Sequence, residues 1–463
     1  MSSTRTTKPF AAIVLAAGKS TRMKSKTPKA LHQIAGKPII GHILDALKDA
    51  GATRIVTVVG FQADAIREHL GDDCDFVEQR EQRGTGHAAQ MAASLLEGWD
   101  GPIVVLPGDA PLITTEAISC LIDAHADHAA TLLTVRLPQP TGYGRVVRGT
   151  DSRVTHIVEE KDATEEQRRI NEVNVSIYAF NPSFLFDALA KVSPNNAQSE
   201  YYLTDVIGVA HNAGHTIGAL TWDDPDVGRG INNRAELAEA AGILNRRIQH
   251  RLMLDGVSIV DPASTFIDDT VRIGQDTVIH PFTILTGSTD IGQDCHIGPG
   301  SRIESSAIGN GVRVRDSHIT ASEVGDGTTI GPFANLRPGS MIGKNVKIGD
   351  FVETKQTTLG DGVSAGHFSY LGNAEVGDGT NIGAGTITCN YDGKRKHQTK
   401  IGKNTFIGSN STLVAPVSIG DEAFVAAGST IVDDVPPQAL AVGRAYQKNK
   451  PEWVKKRTEF NNG

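Results

Sequence analysis

Residues 273–303 read IGQDTVIHPFTILTGSTDIGQDCHIGPGSRI, with an aliphatic residue at every sixth position. The same period returns at residues 324–348 and 401–431, and glycine often follows the aliphatic residue. Small side chains stand four positions after the aliphatic ones, at Thr277, Thr283, Thr289, Cys295 and Ser301. Six residues accommodate one strand and one turn, so this hexapeptide repeat predicts triangular coils of three repeats. We expect the aliphatic side chains to point inward and the small ones to fill the corners.

The first 230 residues or so follow a different pattern, in which short apolar runs alternate with helical stretches. The apolar runs at 11–15, 55–59 and 103–106 have the composition of strands buried on both faces. Helical patterns lie between them at 39–50, 63–70 and 86–97. This alternation predicts a mostly parallel, Rossmann-like α/β sheet covered by helices, with ligands bound beyond the carboxyl ends of the strands.

Between the two patterns, residues 235–254 read AELAEAAGILNRRIQHRLML, which is rich in helix formers with apolar residues at helical spacing. We expect one long helix here. A chain of 463 residues is also too long for a single ordinary core. The sequence therefore predicts an α/β domain at 1–234, a linking helix at 235–255 and a parallel β-helix at 256–463.

The composition argues against several classes of protein. A formal net charge of −8 does not suit a nucleic-acid-binding protein, which usually presents a basic surface. The sequence has no apolar run long enough for a membrane span, and the polar start MSSTRTTKPF lacks the apolar core of a secretory signal. The four cysteines show no CxxC spacing and are interpreted as reduced thiols of a cytoplasmic protein.

A glycine-rich turn follows the first predicted strand, in the motif LAAGKSTRM at 15–23, with Pro28 and Lys29 beyond it. Small residues in such a turn let backbone amides approach a phosphate or a base, and Arg22 and Lys29 add positive charge. The turn alone would fit an ordinary loop between a strand and a helix. Its combination with the two basic residues is more specific and favours a phosphate or a base as the ligand.

Two further residues are candidates for chemistry. Asp109 follows the run at 103–106, where a carboxylate can hold magnesium, although a single aspartate there is more often a loop cap. His367 lies in AGHFSYLG, within 349–400, where the six-residue period fails and polar residues accumulate. Neutral imidazole suits proton removal from an amine, although any one of the 15 histidines is more often solvated or buried in a core. Residues 388–400 are long enough to leave the solenoid as a loop.

Several motifs resemble those of one family. In the first half they are LAAGKSTRM with Pro28-Lys29, QREQRGT at 79–85, PGD at 107–109 and GINNR at 230–234. In the second half they are LRPG at 336–339, AGHFSYLG at 365–372 and NIGAGTITCNYDG at 381–393. Over essentially the whole chain they resemble the bacterial bifunctional glucosamine-1-phosphate acetyltransferase and N-acetylglucosamine-1-phosphate uridylyltransferase.

The resemblance implies a nucleotidylyltransferase domain followed by a left-handed parallel β-helix. It implies that acetyl-CoA acetylates glucosamine 1-phosphate, and that UMP is then transferred from UTP to N-acetylglucosamine 1-phosphate, giving UDP-N-acetylglucosamine and pyrophosphate. It also implies magnesium, a homotrimer, a cytoplasmic location and a role in supplying precursors of peptidoglycan and lipopolysaccharide.

For the uridylyl site, the resemblance implies that Asp109 and Asn232 bind magnesium. The other implied residues are Gln79, Gly84 and Thr85 around the uracil; Gly144, Glu159 and Asn174 around the sugar and its neighbours; and Leu15, Ala16, Ala17, Gly18, Arg22, Lys29, Pro107 and Gly108 in the remaining pocket. The chain departs from the family pattern at Pro107, where tyrosine is common. It also departs at Val175-Ser176, where threonine or serine and then glycine are common.

For the acetyl site, the resemblance implies that His367 is the base and that Glu353 orients it. The implied sugar-phosphate residues are Arg337, Lys355, Tyr370 and Asn381, and the implied acetyl-CoA residues are Ala384, Asn390, Tyr391, Ser409, Ala427 and Arg444. The basic residues 394–396 could meet the phosphates of CoA, but a solvated loop tip is the simpler interpretation. Residues 451–460 are expected to form a short terminal helix. Donor binding between neighbouring β-helices would build each acetyl site from more than one subunit.

Two other interpretations stay open at this stage. The first is a nucleotidylyltransferase with one activity, whose solenoid only assembles or regulates; Arg337, His367 and the CNYDG loop argue against it. The second is a scaffold without catalytic activity, against which Arg22, Lys29 and Asp109 argue. An assay with single components omitted would separate the three interpretations.

Overall fold

The computed structural model describes residues 9–19 and 21–460. The chain divides into two compact units, with the boundary between Leu244 and Asn245. We call the part before this boundary unit 1 and the part after it unit 2. Within the described residues, no helix combines the length and the apolar composition needed to cross a membrane.

Unit 1 alternates strands and helices, as the sequence predicts. Its strands are β1 (Phe10–Leu15), β2 (Gln33–Ile34), β3 (Lys37–Pro38), β4 (Ala52–Val59), β5 (Asp75–Glu78), β6 (Ile103–Pro107), β7 (Ala130–Arg136), β8 (Gly144–Arg148), β9 (Val154–Val158), β10 (Glu172–Phe180) and β11 (Ile217–Thr221). Its helices are α1 (Ile39–Asp49), α2 (Ala63–Leu70), α3 (Thr85–Met91), α4 (Thr115–His125), α5 (Glu165–Arg168), α6 (Pro182–Leu189), α7 (Asp205–Asn212) and the start of α8 (Arg234–Leu254). The helix predicted at 86–97 is α3 followed by a 3₁₀ turn at Ala93–Leu95, a common way for a helix to end.

One sheet forms the centre of unit 1, in the strand order β11–β7–β10–β6–β1–β4–β5. Strands β1, β4, β5 and β6 are parallel, but β10 runs antiparallel to both β6 and β7, so the sheet is mixed. Ile13 and Val14 of the central strand β1 are fully buried, which explains its unbroken apolar run. Strands β8 and β9 form an antiparallel ribbon attached to β10 beside the main sheet.

The carboxyl ends of β1, β4 and β6 lie side by side. Leu15, the last residue of β1, pairs with Val58 of β4 and with Pro107 of β6. The Gly108 amide then donates to the Leu15 carbonyl at 2.8 Å. The glycine-rich turn and the residues around Asp109 therefore meet at one edge of the sheet, as expected for parallel strands.

Unit 2 is a left-handed parallel β-helix. Its strands are β12 (Ser258–Ile259), β13 (Phe266–Ile267), β14 (Arg272–Ile273), β15 (Val278–Ile279), β16 (Ile284–Thr286), β17 (Asp290–Ile291), β18 (His296–Ile297), β19 (Arg302–Glu304), β20 (Ala307–Ile308), β21 (Arg313–Val314), β22 (His318–Thr320), β23 (Glu323–Val324), β24 (Thr329–Ile330), β25 (Asn335–Leu336), β26 (Ser340–Ile342), β27 (Lys347–Asp350), β28 (Glu353–Lys355), β29 (Thr357–Leu359), β30 (Ser364–His367), β31 (Tyr370–Gly372), β32 (Ala374–Val376), β33 (Asn381–Ile382), β34 (Ile387–Cys389), β35 (Thr399–Ile401), β36 (Phe406–Ile407), β37 (Thr412–Val414), β38 (Val417–Ile419), β39 (Phe424–Val425), β40 (Thr430–Ile431) and β41 (Leu440–Ala441). These strands stack into three parallel sheets that begin with β12, β13 and β14. The predicted terminal helix is α9 (Trp453–Phe460).

The repeat places its side chains as the sequence predicts. Ile279 and Ile297 are fully buried and pair across neighbouring coils. Thr277, at a predicted corner, is also fully buried, and its hydroxyl donates to the Gly292 carbonyl at 2.8 Å. A small hydroxyl residue fits this corner because it occupies little space and satisfies a carbonyl that the turn leaves free.

The solenoid continues through residues 348–401, although the six-residue period fails there. Ile330 pairs with Ile348, and Ile348 pairs with Ala365, so the coil shortens from 18 residues to 17. The chain leaves the coil at 390–398. This loop is shorter than the one predicted at 388–400, because Thr388 and Thr399 belong to strands β34 and β35.

The last turns of α8 cover the first coil of unit 2. The Asn245 amide nitrogen donates to the Thr265 carbonyl at 2.9 Å, and its oxygen accepts from the Ile267 amide at 3.1 Å. The Gln249 amide donates to the carbonyls of Thr265 and Pro262, at 2.7 and 3.0 Å. Asn245 and Gln249 lie four residues apart on one helix face, so they pair backbone groups at the end of the stack.

Candidate active sites

Unit 1 contains a cavity of about 480 Å³ at the carboxyl ends of β1 and β6. It is lined by twelve of the residues that the sequence predicts for the uridylyl site: Leu15, Ala16, Ala17, Gly18, Lys29, Gln79, Gly84, Thr85, Pro107, Gly108, Asp109 and Glu159. The other four are connected to this lining. Arg22 and Asn232 contact each other, Asn174 contacts Tyr178, and Gly144 lies beside Glu159, as described below.

Two basic side chains and the side-chain oxygens of Asp109 and Asn232 meet at one end of the cavity. The Lys29 ammonium donates to Asp109 Oδ2 and, at 3.4 Å, to Asn232 Oδ1. Arg22 donates to the same Asn232 oxygen at 2.9 Å. The backbone N–H of Asn232 donates to Glu236 Oε2 at 2.7 Å, which joins this end of the cavity to the first turn of α8.

The same geometry fits a divalent cation. Asp109 Oδ2 and Asn232 Oδ1 converge on one cationic atom, Lys29 Nζ, so the two oxygens are close enough to share a positive ion. Magnesium prefers oxygen ligands and commonly takes one or two carboxylates from the protein, with water and substrate phosphates completing its shell. The donor set at Asp109 and Asn232 therefore suits magnesium.

The residues predicted for the uracil lie around the start of helix α3. Gln79 is buried, and its amide donates to the Gly84 carbonyl at 3.1 Å. Gly84 has a φ of 110°, and a Cβ atom there would lie 2.5 Å from the Tyr201 carbonyl oxygen, so glycine is required. The Thr85 hydroxyl accepts from the Leu203 amide at 3.0 Å. These contacts hold the start of α3 against the cavity.

Glu159 lies on the other wall of the cavity. Its carboxylate accepts from the Thr204 hydroxyl at 3.2 Å, and a Cβ atom on Gly144 would lie 3.5 Å from both of its oxygens. Burial raises the pKa of the Glu159 carboxyl, and the hydrogen bond from Thr204 partly offsets this. Glu159 is therefore a desolvated acceptor, suited to a neutral donor such as a sugar hydroxyl.

A β-bulge brings Ser176 and Tyr178 to the cavity; the sequence singled out Ser176 only as a departure from the family pattern, and it did not single out Tyr178. The pairing of β10 with β7 shifts register between Asn174 and Tyr178, and Ser176 has a φ of 60°. The Asn174 amide donates to the Tyr178 hydroxyl at 2.7 Å, and both Ser176 and Tyr178 line the cavity. Ser176 occupies the position where the resembled family commonly has glycine, which adopts such a φ more readily. Gln82, Gln198, Glu200, Tyr202 and Thr204 also line the cavity without having been predicted.

In unit 2, His367 is held by Asp350. The two residues are directly opposite on the parallel strands β30 and β27, and His367 Nδ1 lies 2.6 Å from Asp350 Oδ1. The hydrogen bond to His367 lowers the pKa of the Asp350 carboxyl. Because a carboxylate accepts, Nδ1 carries the proton and Nε2 keeps its lone pair. The His367 side chain is 61% exposed, so this nitrogen is accessible.

The prediction that Glu353 orients His367 is wrong. Glu353 Oε1 accepts from Arg337 at 2.7 Å instead. The physical reason is the register, because Glu353 stands opposite Tyr370, whereas Asp350 stands opposite His367.

Three cations lie together in unit 2. Arg337 directly follows β25 and Lys355 lies on β28, in a sheet that is not the sheet of His367, and Lys396 approaches from the loop. Arg337 and Lys396 both lower the pKa of the Lys355 ammonium, as like charges close together do. Lys396 belongs to the loop at 390–398, and its proximity to Lys355 was not expected from a solvated loop tip. Three adjacent cations suit an anion with several oxygens, such as a phosphate.

Tyr370 and Asn390 approach each other above Gly372. A Cβ atom on Gly372 would lie 2.4 Å from the Tyr370 hydroxyl oxygen and 2.8 Å from the Asn390 amide nitrogen. Asp392 fixes the loop that follows, because it accepts from the amides of Lys394 and Arg395 at 2.7 and 2.6 Å. The Tyr391 side chain is exposed on this loop.

Three of the six residues predicted for acetyl-CoA stack along one corner of the solenoid. The backbone N–H of Asn410 donates to the Ala384 carbonyl at 2.7 Å, and the backbone N–H of Gly428 donates to the Ser409 carbonyl at 2.8 Å. Ala384, Ser409 and Ala427 therefore follow one another in successive coils. His367 precedes Ala384 in the same row, because Ala365 pairs with Ile382. A Cβ atom on Gly428 would lie 3.6 Å from Arg444 Cδ, so Arg444 lies beside the end of the row. Asn381 lies on β33, in a different sheet from Tyr370 on β31.

Known families match both halves of the chain. Residues 12–170 match the model of a MobA-like NTP transferase domain. Residues 270–305 and 321–356 match bacterial transferase hexapeptide repeats, and residues 398–432 match a hexapeptide repeat of succinyl-transferase.

Curated relatives resemble almost the whole chain. The bifunctional protein GlmU of Geobacillus sp. (strain WCH70) is 49% identical over 445 residues, which cover 96% of this chain and 97% of the relative. The proteins of the same name from Exiguobacterium sp. (strain ATCC BAA-1283 / AT1b) and Shouchella clausii (strain KSM-K16) are 47% and 48% identical over 447 residues. Each of these two comparisons covers 96% of this chain and at least 98% of the relative.

Proposed function

The chain belongs to the family of bifunctional GlmU proteins, and from this premise we propose which residues of each unit carry out its two reactions. It is an enzyme with two transferase activities, glucosamine-1-phosphate N-acetyltransferase and N-acetylglucosamine-1-phosphate uridylyltransferase, and it acts in cell-wall precursor synthesis. This excludes a scaffold without catalytic activity and a solenoid that only assembles.

Uridylyl transfer takes place in the cavity of unit 1. The observation that supports this is the meeting of Lys29, Arg22, Asp109 and Asn232 at one end of the cavity. A phosphate oxygen of N-acetylglucosamine 1-phosphate attacks the α-phosphorus of UTP, and the bond to the leaving pyrophosphate breaks. Arg22 and Lys29 neutralise charge on the phosphoryl oxygens, and the cavity holds the reactants in line.

Asp109 and Asn232 are the residues that would hold magnesium. When bound, the ion supplies positive charge to the phosphates of UTP. Lys29, whose ammonium contacts both oxygens, would bind the substrate phosphates beside the ion. Gln79 and Gly84 surround the uracil, and Glu159 accepts from the sugar.

Acetyl transfer takes place at His367 in unit 2. Nε2 of His367 takes a proton from the amine of glucosamine 1-phosphate, whose nitrogen attacks the thioester carbonyl of acetyl-CoA. The C–N bond forms, the C–S bond breaks, and the CoA thiolate leaves and takes up a proton. Asp350 holds the Nδ1 proton, which keeps Nε2 free.

The substrates of the acetyl site are held on either side of His367. Arg337, Lys355 and Lys396 bind the sugar phosphate, with Tyr370 and Asn381 completing the pocket. Acetyl-CoA lies along the row of small residues Ala384, Ser409 and Ala427, next to Arg444, with its acyl end at Asn390 and Tyr391. The protein is a cytoplasmic homotrimer in this proposal, and a neighbouring subunit completes each acetyl site.

A single assay tests the proposal. Purified protein is incubated with glucosamine 1-phosphate, acetyl-CoA, UTP and magnesium, and each component is omitted in turn. Omission of acetyl-CoA should abolish product unless N-acetylglucosamine 1-phosphate is supplied. Omission of magnesium should stop uridylyl transfer and leave acetylation unchanged. Loss of acetylation without magnesium would contradict the assignment of the metal to unit 1.

Two substitutions separate the sites. His367→Ala should lower acetyl transfer by about 10²–10⁴-fold, the usual contribution of a positioned base. Asp109→Asn should lower uridylyl transfer by about 10²–10³-fold, because one negative ligand is lost where phosphoryl charge develops. Each variant is the control for the other when both reactions are measured on one preparation. Acetylation at the wild-type rate by His367→Ala would remove this residue from the reaction.

A further inference from the structure

Arg145 is a buried cation next to the uridylyl site. It follows Gly144 on strand β8, and its side chain is only 2% exposed. A buried guanidinium is costly unless ionic and hydrogen-bonding partners surround it. Neither Arg145 nor its partner Glu160 is among the described residues that line the cavity, so the function of the pair is not explained by contact with substrate.

The contacts of Arg145 join three segments of unit 1. Its guanidinium lies 2.8 Å from Glu160 Oε2 and donates to the carbonyl of Tyr143. It also donates to the carbonyl of Arg168, at the end of α5, at 3.3 and 3.4 Å. Glu160 accepts in addition from the Gly142 amide at 3.2 Å. The pair thus ties the segment at 142–144 to the segment at 159–160 and to α5.

Each segment carries a residue of the sugar side of the site, because Glu159 lines the cavity and Gly144 lies beside Glu159. Gly144 is the neighbour of Arg145, and Glu159 is the neighbour of Glu160. A Cβ atom on Gly144 would lie 3.5 Å from both carboxylate oxygens of Glu159, so the two residues are neighbours with room for only a small group between them. Arg145 and Glu160 directly follow these two residues in the chain, so a change in the geometry of the ion pair would move Gly144 and Glu159 relative to each other.

We propose that Arg145 and Glu160 are positioning residues for the sugar 1-phosphate in uridylyl transfer. They act through Gly144 and Glu159, and they hold the sugar side of the cavity at the width the substrate needs. The inference rests on the proposed function only in taking Gly144 and Glu159 as the sugar side.

Glu160→Gln and Arg145→Lys test the proposal. Each variant keeps the approximate size of the side chain and weakens the ion pair. We expect KM for N-acetylglucosamine 1-phosphate to rise by about 10- to 100-fold, because small displacements of positioning groups have effects of this size. KM for UTP should change by less than about threefold, and acetyl transfer by the same preparation should be unchanged.

Arg148→Lys is the matched control. Arg148 lies on the same strand and makes a bidentate ion pair with Glu172, at 2.6 and 2.9 Å, away from Gly144 and Glu159. This variant should lose stability without a selective rise in KM for the sugar phosphate.

The outcomes are distinguishable. A folded Glu160→Gln variant with unchanged KM for the sugar phosphate would overturn the inference, as would an equal rise in both KM values. Glu160 is 29% exposed, so its variant keeps the test open if Arg145→Lys fails to fold. Failure of the assignment of Gly144 and Glu159 to the sugar side would show differently, because Glu159→Gln would then leave KM for N-acetylglucosamine 1-phosphate unchanged.

Discussion

Asp350 determines which nitrogen of His367 can take up a proton. Its carboxylate lies 2.6 Å from Nδ1, and the exposed ring leaves Nε2 accessible to a substrate amine. Asp350 thus fixes the tautomer of His367 without itself taking part in the reaction. The two residues are therefore expected to behave as one functional unit.

Asp350→Asn should lower kcat for acetyl transfer by at least about tenfold, and by no more than the ~10²–10⁴-fold loss of His367→Ala. The double variant should be no slower than His367→Ala alone, because residues that act together are not additive. KM for acetyl-CoA should change little. These values come from steady-state kinetics on all three variants.

Glu353→Gln is the matched control for this experiment. Glu353 pairs with Arg337, so its variant should alter KM for glucosamine 1-phosphate rather than kcat. Additive effects of Asp350→Asn and His367→Ala would show that Asp350 acts independently of the imidazole.

Ser176→Gly should stabilise unit 1 by up to about 1 kcal/mol, since a left-handed φ costs a residue with a side chain roughly that much. Ser152, with a φ of 64° and outside the cavity lining, is the control, and Ser152→Gly should stabilise to a similar extent. Calorimetric unfolding measures both variants. A lower unfolding temperature for Ser176→Gly than for Ser152→Gly would mean that the Ser176 side chain stabilises the bulge.

Residues in motifs were predictable from the sequence, whereas their partners from other strands were not. The motifs located Lys29, Asp109 and His367. An 18-residue coil would place Gly349 opposite His367, and the 17-residue coil places Asp350 there instead. The one-residue difference cannot be read from the six-residue period, and neither can the bulge that turns Ser176 into the cavity.

At the scale of the element, the two halves of helix α8 have different functions. Its first turn contacts Asn232 of the uridylyl site through Glu236. Its last turns hold the first coil of unit 2 through Asn245 and Gln249. The end of a parallel stack exposes unpaired backbone groups, and the two amides pair them. Composition and the spacing of apolar residues predicted this helix, but the amides that cap the stack have no signature in the sequence.

Gln249→Leu should destabilise unit 2 by about 1–3 kcal/mol, because the carbonyls of Pro262 and Thr265 would lose a buried donor. The exposed neighbour His250 provides the control, and His250→Ala should have little effect. The measurement is the half-life of each activity at raised temperature. Acetyl transfer should be lost sooner in Gln249→Leu while uridylyl transfer is unaffected, and equal loss of both activities would contradict a local effect.

At the scale of the whole molecule, the two activities should be separable. A fragment of residues 1–254 should convert N-acetylglucosamine 1-phosphate and UTP into UDP-N-acetylglucosamine without acetylating glucosamine 1-phosphate. A fragment of 235–463 should acetylate and should unfold at a higher temperature than one of 256–463, which lacks Asn245 and Gln249. If fragment 1–254 folds but has no activity, the sites depend on each other.

The division of the chain into two types of fold was predictable because each type has its own period in the sequence. The position of the boundary between the units was less predictable, because α8 is a continuous helix and the boundary between Leu244 and Asn245 falls inside it. A helical pattern does not record which half of the helix packs on which core.

The stacking of coils also sets distances along unit 2. His367, Ala384, Ser409 and Ala427 occupy successive coils, and neighbouring strands lie about 4.8 Å apart, so the row extends roughly 14 Å from His367 to Ala427. Because each coil contacts only its neighbours, a gene that duplicated or deleted a whole coil before Ile330 would lengthen or shorten the protein without altering this row. The length of the solenoid and the spacing of its catalytic groups can therefore evolve independently.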